Sequence, residues 1–168
     1  MVFLQTKNKQ KGFTLLEVLL VVALIAILAG IILVAIRPAE RIRQANDTQR
    51  QADVATILNA VYQYAIDNNG DLPTDGSVEL STTERHIGID GSGCSTSCDA
   101  ASGGGDCIDL SNDLVKEGYL AAIPINPGLG DASFDEGTSG YYIQKATNGT
   151  VTVGSCIDGA DGAITAQR

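Results

Sequence analysis

The chain contains no tryptophan, one methionine and a single histidine, His86. A Ser-His-Asp or Cys-His catalytic site would have to use that histidine, which lies in a region without a supporting motif. The sequence also lacks the H-E-x-x-H, Walker and G-x-G-x-x-G patterns of zinc proteases, nucleoside triphosphatases and dinucleotide-binding folds. We therefore expect a solvated loop histidine, no enzyme activity and no cofactor.

Paired C-x₂-C knuckles are absent, although the chain has four cysteines: Cys94, Cys98, Cys107 and Cys156. Successive cysteines have 3, 8 and 48 residues between them, which is not the spacing of a zinc site. An even number of cysteines in a small, Gly-rich region predicts two disulfides and hence an exported location. Three pairings are open. We favour Cys107 with Cys156, joining the start of the sheet region to its last strand, and Cys94 with Cys98.

Positive charge is scarce in the C-terminal part of the chain. Residues 71–168 contain 15 acidic and four basic side chains, and the whole chain has a formal net charge of −9. Such a surface repels the phosphate backbone of nucleic acids, so direct binding of nucleic acid is not expected.

Polar side chains are almost absent from residues 13–36. In a helix these residues span about 36 Å, enough to cross a hydrocarbon layer of about 30 Å. The anomaly is Glu17, because a carboxylate deep in the bilayer costs about 2.5–3.5 kcal/mol on insertion scales and a plain anchor would have leucine there. Basic residues flank both ends of the segment, so the positive-inside rule does not fix its orientation.

A short basic leader precedes this apolar segment. Three lysines within residues 1–12 are followed by Gly12, Phe13 and, four residues further on, Glu17. This order resembles the processing site of type IV prepilins, which is cut between the glycine and the next residue. The alternative is a plain signal anchor in which Glu17 reaches the lipid headgroups.

The resemblance implies a set of roles for these residues. Prepilin peptidase would remove residues 1–12 and the new amine of Phe13 would be methylated. Glu17 would then pair with the Phe13 amine of an adjacent subunit during assembly. The implied partners are further copies of the chain, the peptidase, an inner-membrane assembly platform and, for the monomer, the cytoplasmic membrane with the C-terminal part outside.

Residues 37–70 are predicted to continue the helix into water as an amphipathic stalk. Apolar residues recur at helical spacing on one face. Pro38 either kinks the helix or marks the membrane boundary, and a stop is expected at Asn69-Gly70. The apolar face consists of Val54, Ile57, Leu58, Val61 and Ala65.

The stalk also carries a group of charges near the membrane segment. Its arginines fit a lipid headgroup boundary, or else match charges on neighbouring stalks in a filament. The arginines are Arg37, Arg41, Arg43 and Arg50, and the acidic partners would be Glu40, Asp47 and Asp53.

Residues 71–168 are predicted to form a small head. After a loop-rich region, Asp109 or Ser111 can cap a short helix that ends near Glu117. A β-hairpin follows, because strand-like residues flank Asn148-Gly149, the strongest signal for a two-residue type I′ turn. The tail after Cys156 is expected to fray.

A calcium site in the loop before the hairpin is a weaker hypothesis. Asp131, Asp135 and Glu136 supply oxygen ligands of the kind that calcium prefers. Major pseudopilins of type II secretion hold calcium in corresponding C-terminal loops, but the fuller motif is missing here.

The sequence thus predicts an α+β pilin fold, with a long N-terminal helix packed on a small antiparallel sheet. Its parts are a leader (1–12), a membrane and filament-core helix (13–36), a stalk helix (37–70) and a disulfide-bonded head (71–168). The expected function is that of a structural subunit of a type IV pilus or related surface filament. The alternatives are a pseudopilin for secretion or DNA uptake, and a membrane-anchored extracytoplasmic binding domain.

Overall fold

Two helices and a four-stranded sheet make up most of the chain that the structure describes. The computed structural model describes residues 12–76, 79–88, 107–128 and 134–168. In chain order the elements are α1 (Leu15–Ile36), α2 (Pro38–Asp67), β1 (Arg85–His86), β2 (Tyr141–Lys145), β3 (Val151–Ser155) and β4 (Thr165–Gln167). A long N-terminal helical region followed by a small antiparallel sheet confirms the predicted α+β fold class.

The chain divides between Arg41 and Ile42 into two compact units. The first unit contains α1, in which no residue is buried. The described residues hold one helical stretch, within Leu15–Asp67, that is long and apolar enough to cross a membrane. The second unit, residues 42–168, contains the sheet and most of α2, and is called the head unit below.

The helical region is divided at Arg37, next to Pro38, where the sequence predicts either a kink or the membrane boundary. Arg37 has φ 47° and ψ 67°, in the left-handed region. Proline disfavours the right-handed helical region for the residue before it, so Pro38 explains why the division falls here. Pro38 itself is the first residue of α2, where a missing N–H costs nothing.

The apolar face of α2 is the largest helical contribution to the core of the head unit. All five residues of the predicted face are buried, and Ile57 and Val61 are 0% exposed. Asn69 and Gly70 adopt positive φ, and the Gly70 amide donates to the Ala65 carbonyl at 2.7 Å. The periodicity and the helix stop are both confirmed.

The sheet has the order β1-β2-β3-β4, with every pair antiparallel. Beyond β1, Ile108 forms a parallel bridge with Ile87. Ile87, Ile108, Ile143 and Val153 pack with the α2 face in one cluster. The core of the head unit therefore lies between α2 and one face of this sheet.

The β2–β3 hairpin is present, but its turn is not the predicted type I′. That type needs positive φ at both central residues, and only Gly149 has it, at 89°. The Ala146 amide bonds the Thr150 carbonyl, which leaves a three-residue loop, and the Thr150 amide donates to the Asn148 side chain. Asn148 thus stabilises the turn through its side chain rather than its backbone conformation.

Two further expectations for the head unit are wrong. His86 is not a solvated loop residue, because it lies in β1 and is buried. The tail does not fray, because β4 pairs with β3 and Ile164 enters the core. Strands of two and three residues are too short to show a period of two in the sequence.

The short helix in the head is confirmed, with a wider turn than expected. Ser111–Lys116 is a π-helical segment, and the Asp109 side chain accepts from the Ser111 amide at 2.8 Å. Gly118 follows with φ 89°, as expected for a helix end. Leu114, within this segment, is fully buried.

The sheet register contradicts one predicted disulfide. Cys107 and Cys156 are both disulfide-bonded. They flank strands that are three positions apart, because Ile108 bridges Ile87 outside β1 while Cys156 directly follows β3. Three strand spacings amount to about 14 Å. A disulfide needs Cα atoms within about 7 Å, so the predicted pairing of Cys107 with Cys156 is wrong. Cys94 and Cys98 lie outside the described residues.

Candidate processing and assembly site

The predicted cleavage point lies in non-helical chain just before α1. Gly12 and Phe13 precede the helix, and Phe13 is 83% exposed. Thr14 is the N-cap residue, with φ −78° and ψ 151°. The bond between Gly12 and Phe13 is therefore outside the hydrogen-bonded helix, and its cleavage stays a prediction.

Glu17 lies in the first turn of α1, close to the cap. Its amide donates to the Thr14 hydroxyl at 3.2 Å and to the Thr14 carbonyl at 3.1 Å. A carboxylate in the first turn interacts favourably with the positive end of the helix dipole. This position lowers the cost of an acid at the edge of an apolar segment.

Thr14 is a functional residue that our sequence analysis missed. Thr14 and Glu17 have the spacing of a capping box, in which a Thr and a Glu three residues later mark a helix start. That spacing was visible in the sequence, but we interpreted Glu17 as an anomaly in a membrane segment and as an assembly residue, not as part of a helix cap. Its place in the motif has a local structural reason as well as the implied role in assembly.

The apolar surface of α1 is uncovered in the single chain. Every residue of the helix is exposed, including sixteen large aliphatic side chains from Leu15 to Ile36. A contiguous surface of this kind marks contact with lipid or with another protein. The helix can therefore act both as a membrane anchor and as a packing element.

A buried hydrogen-bonded network ties α2 to the loops of the head unit. Arg50 is 1% exposed, and its guanidinium donates to three acceptors. These are Asn126 Oδ1 at 2.9 Å, the Gly128 carbonyl at 2.8 Å and Asp47 Oδ1 at 2.6 Å. The charge is thus both paired and hydrogen-bonded, as burial requires. We call Asp47, Arg50, Asn126 and Gly128 the Arg50 cluster.

Asn126 extends this network to the sheet. Its amide nitrogen donates to the Gly140 carbonyl at 3.1 Å and to Ser155 Oγ at 2.9 Å. Its side-chain oxygen accepts from the Gly128 amide as well as from Arg50. One buried amide therefore joins α2, its own loop and the ends of β2 and β3.

Three of the charges assigned to the stalk surface turn out to contact the head unit of the same chain. Arg50 lies in the cluster just described, and the other carboxylate oxygen of Asp47 accepts from the Ala160 amide at 3.0 Å. The Tyr141 hydroxyl donates to Asp53 at 2.7 Å. Neither headgroup binding nor pairing between stalks fits these three residues. Arg37 and Glu40 remain exposed and form an ion pair at 3.6 Å.

Burial and acidic neighbours raise the pKa of several tyrosines. Burial, and then the hydrogen bond to Asp53, hold the pKa of Tyr141 far above its ordinary value of 10.0. The hydrogen bond to Asp67, at 2.9 Å, is the main cause of the raised pKa of Tyr119. These phenols are hydrogen-bond donors at neutral pH.

The calcium hypothesis finds little support in the described residues. Asp135 accepts from the Thr138 amide and hydroxyl, at 2.9 and 3.1 Å, so its carboxylate closes a local turn. Asp131 lies outside the described residues. Within the part of the chain that the structure describes, no group of three or more acidic, His or Cys side chains could hold a metal ion.

Comparison with known proteins places the N-terminal segment in a defined class. Residues 7–33 match the prokaryotic N-terminal methylation motif, the signature of type IV pilins and pseudopilins. The chain is similar to type II secretion system core protein G of Escherichia coli (strain K12), with 23% identity over 124 residues. That alignment covers 74% of this chain and 70% of the relative. No solved structure matches the chain.

The motif and this similarity together support a pilin-like or pseudopilin subunit. That class is structural rather than enzymatic, and it implies self-assembly and processing by prepilin peptidase. The apolar N-terminal helix suits a membrane-anchored monomer.

Proposed function

We propose that the protein is a structural subunit of a type IV pilus or a related surface filament. The observation that carries this proposal is the wholly exposed apolar surface of α1, next to a methylation motif at its start. In the assembled filament, α1 helices of many copies cover one another. The acidic head units then face outward.

Assembly begins with removal of residues 1–12 and methylation of the Phe13 amine. The exposed, non-helical chain before Thr14 supports access of prepilin peptidase to the bond after Gly12. Glu17 then pairs with the amine of a neighbouring copy. Before assembly the monomer is held in the cytoplasmic membrane by residues 13–36 and is delivered by an inner-membrane platform.

The second candidate is a pseudopilin, and one specific observation favours it. The relative reported above is a type II secretion protein, and the alignment extends far beyond the shared N-terminal motif. A pseudopilin would use the same processing and the same α1 packing. Its short filament would serve secretion or DNA uptake rather than extend from the cell.

Microscopy of sheared filaments and a deletion strain together separate these functions. We expect surface filaments that contain this chain by peptide identification, and their loss on deletion without a general secretion defect. Loss of protein secretion or DNA uptake, with no surface filament at native expression, would favour the pseudopilin. A chain that never enters a filament, even when overproduced, would refute both and leave a membrane-anchored domain.

A further inference from the structure

We propose that the Arg50 cluster fixes the register of α2 within the head unit and is thereby a positioning element for filament assembly. The inference rests on the proposed function. The partner is a second copy of this chain, because every copy in a filament must hold its head unit in the same position. The argument starts from the position of the cluster on α2.

Arg50 is the first buried residue of α2, counting from its N-terminal end. Residues 38–45 are exposed, Asn46 and Asp47 are half-buried, and burial then recurs from Arg50 to Ala65. The cluster therefore marks the point along the helix at which the head begins. It determines which residue of α2 is the first that the rest of the head unit buries.

Apolar packing alone specifies this point weakly. The residues Val54, Ile57, Leu58 and Val61 repeat at helical spacing, and similar aliphatic residues recur one turn apart. Hydrophobic contact is non-directional, so a shift along the helix by one turn conserves much of it. The sheet and loops need a directional contact to select one register.

The guanidinium of Arg50 supplies that direction. It meets acceptors from two residues more than 70 positions away, Asn126 and Gly128, and one on its own helix, Asp47. Arginine offers its donors in a rigid planar fork, so all three bonds form only in one arrangement. A shift by one turn would leave a buried charge without its acceptors.

Stability does not by itself explain a buried arginine here. Replacing a buried ion pair with an apolar side chain of similar volume is often neutral for stability or favourable. An apolar side chain at position 50, with apolar partners in place of the polar ones, would fill similar space in the core. A specific geometric role accounts for a charge where an apolar residue would pack as well, and the best-attested role of such groups is in setting register.

The test compares Arg50→Met with Lys116→Met in the full-length chain. Lys116 is an exposed cation on the π-helical segment, so its variant controls for the loss of one positive charge. For each variant we would measure thermal unfolding of the detergent-solubilised protein, the amount of membrane-bound monomer and the yield of sheared filaments. Hydrogen exchange of the α2 amides reports which turns of the helix the head protects.

We expect Arg50→Met to unfold cooperatively, at a temperature lowered by the loss of the donor to Asp47, Asn126 and Gly128, and to accumulate as monomer. Its filament yield should fall at least ten-fold, and protection of α2 should spread over more than one register. Lys116→Met should match the wild type in every measurement. Arg50→Lys should also assemble poorly, because it keeps the charge without the planar fork.

Two results would overturn the proposal. A folded Arg50→Met chain with wild-type filament yield would show that the cluster does not position the head for assembly. Loss of cooperative unfolding in both Arg50 variants would show that the cluster acts through stability, and the positioning role would be dropped. If the wild type itself gave no filaments, the proposed function would fail instead, so the two failures are distinguishable.

Discussion

At the scale of single residues, Glu17 has two environments to satisfy. In the single chain it lies beside the Thr14 cap, where the helix terminus favours its charge. In the filament we expect it to meet the methylated amine of a neighbouring Phe13. The two roles do not conflict, because the first lowers the cost of the monomer and the second rewards assembly.

Replacing Glu17 with leucine should separate membrane insertion from assembly. Glu17→Leu makes the segment a better membrane helix but removes the partner of the Phe13 amine, and a single unpaired charge in an apolar core is heavily penalised. We expect normal insertion and cleavage with few or no filaments, and intermediate yield for Glu17→Asp. The measurement is filament yield after shearing against monomer in the membrane fraction. Wild-type yield from Glu17→Leu would show that the carboxylate has no role in assembly.

The cysteine pairing follows from the sheet rather than from the spacing of the sequence. Cys107 and Cys156 are disulfide-bonded, yet they flank strands that are three positions apart, or about 14 Å at the ordinary strand spacing. We therefore expect each to pair with one of Cys94 and Cys98. Non-reducing peptide mapping should find one disulfide that joins Cys107 to either Cys94 or Cys98. A second disulfide should join Cys156 to the remaining one of those two cysteines. A peptide that links Cys107 directly to Cys156 would contradict the sheet order described here.

Tyr141 predicts how the head unit responds to alkali. Its pKa is raised by burial and by Asp53, so the folded head keeps the phenol proton more tightly than the unfolded chain does. The stability contributed by this group is complete below pH 10.0 and is lost as the pH rises above that value. Chemical unfolding between pH 8 and pH 12, values about two units either side of the ordinary tyrosine pKa, should show this decline.

Tyr141→Phe is the matched variant for that experiment. It keeps the buried ring, removes the ionisable hydroxyl and leaves Asp53 without its donor. We expect lower stability at neutral pH, by about 1–2 kcal/mol, and a shallower loss in alkali. A decline as steep as in the wild type would assign the alkaline sensitivity to other tyrosines.

At the scale of elements, the parts predicted well are those with long periodic patterns. The α2 face and the hairpin strands follow from apolar spacing that only one kind of element satisfies. The parts missed are those in which tertiary contacts decide. Arg50 looks like a surface charge until the residues that accept its hydrogen bonds, far away in sequence, are brought together by folding.

The same limit explains the errors at the sheet edges. β4 has three residues and becomes ordered only because β3 offers a partner and Ile164 enters the core. Thr14 was missed for a different reason, since its cap signal was local and visible. Sequence reasoning therefore recovered the fold class and the buried face of α2. It did not recover the Arg50 cluster, which joins α2 to the loops and the sheet.

The α2 face offers a direct test of where the core lies. Ile57→Ala should destabilise the head unit by about 2–5 kcal/mol, because the fully buried side chain leaves a cavity. Ile66→Ala is the matched control on the same helix, since Ile66 is 77% exposed, and it should change stability by less than about 0.5 kcal/mol. Denaturant unfolding of both variants measures the difference. Equal effects would place the buried face elsewhere on α2.

At the scale of the whole molecule, the two compact units differ in how their apolar residues are covered. In the unit that contains α1, every described residue is exposed, so we expect lipid or other copies to cover its apolar surface. The head unit has a core, a sheet and a buried polar cluster, and it can be ordered without those partners. Charge follows the same division, since acidic residues concentrate in 71–168 and apolar ones in 13–36.

In the proposed function, processing turns the first unit from an anchor into an assembly element. Cleavage between Gly12 and Phe13 removes three lysines and creates an amine directly before the Thr14 cap. That amine is the only new positive charge near Glu17, so the pairing assigned to assembly depends on it. Intact-mass analysis of filament material should find a chain that begins at Phe13 and is one methyl group heavier than the bare sequence. Gly12→Val replaces the small residue before the cleaved bond with a bulkier one and should prevent cleavage. We expect full-length monomer in the membrane and no filaments. Filaments built from chains that still carry residues 1–12 would contradict both the predicted prepilin processing and the assembly role of the Phe13 amine.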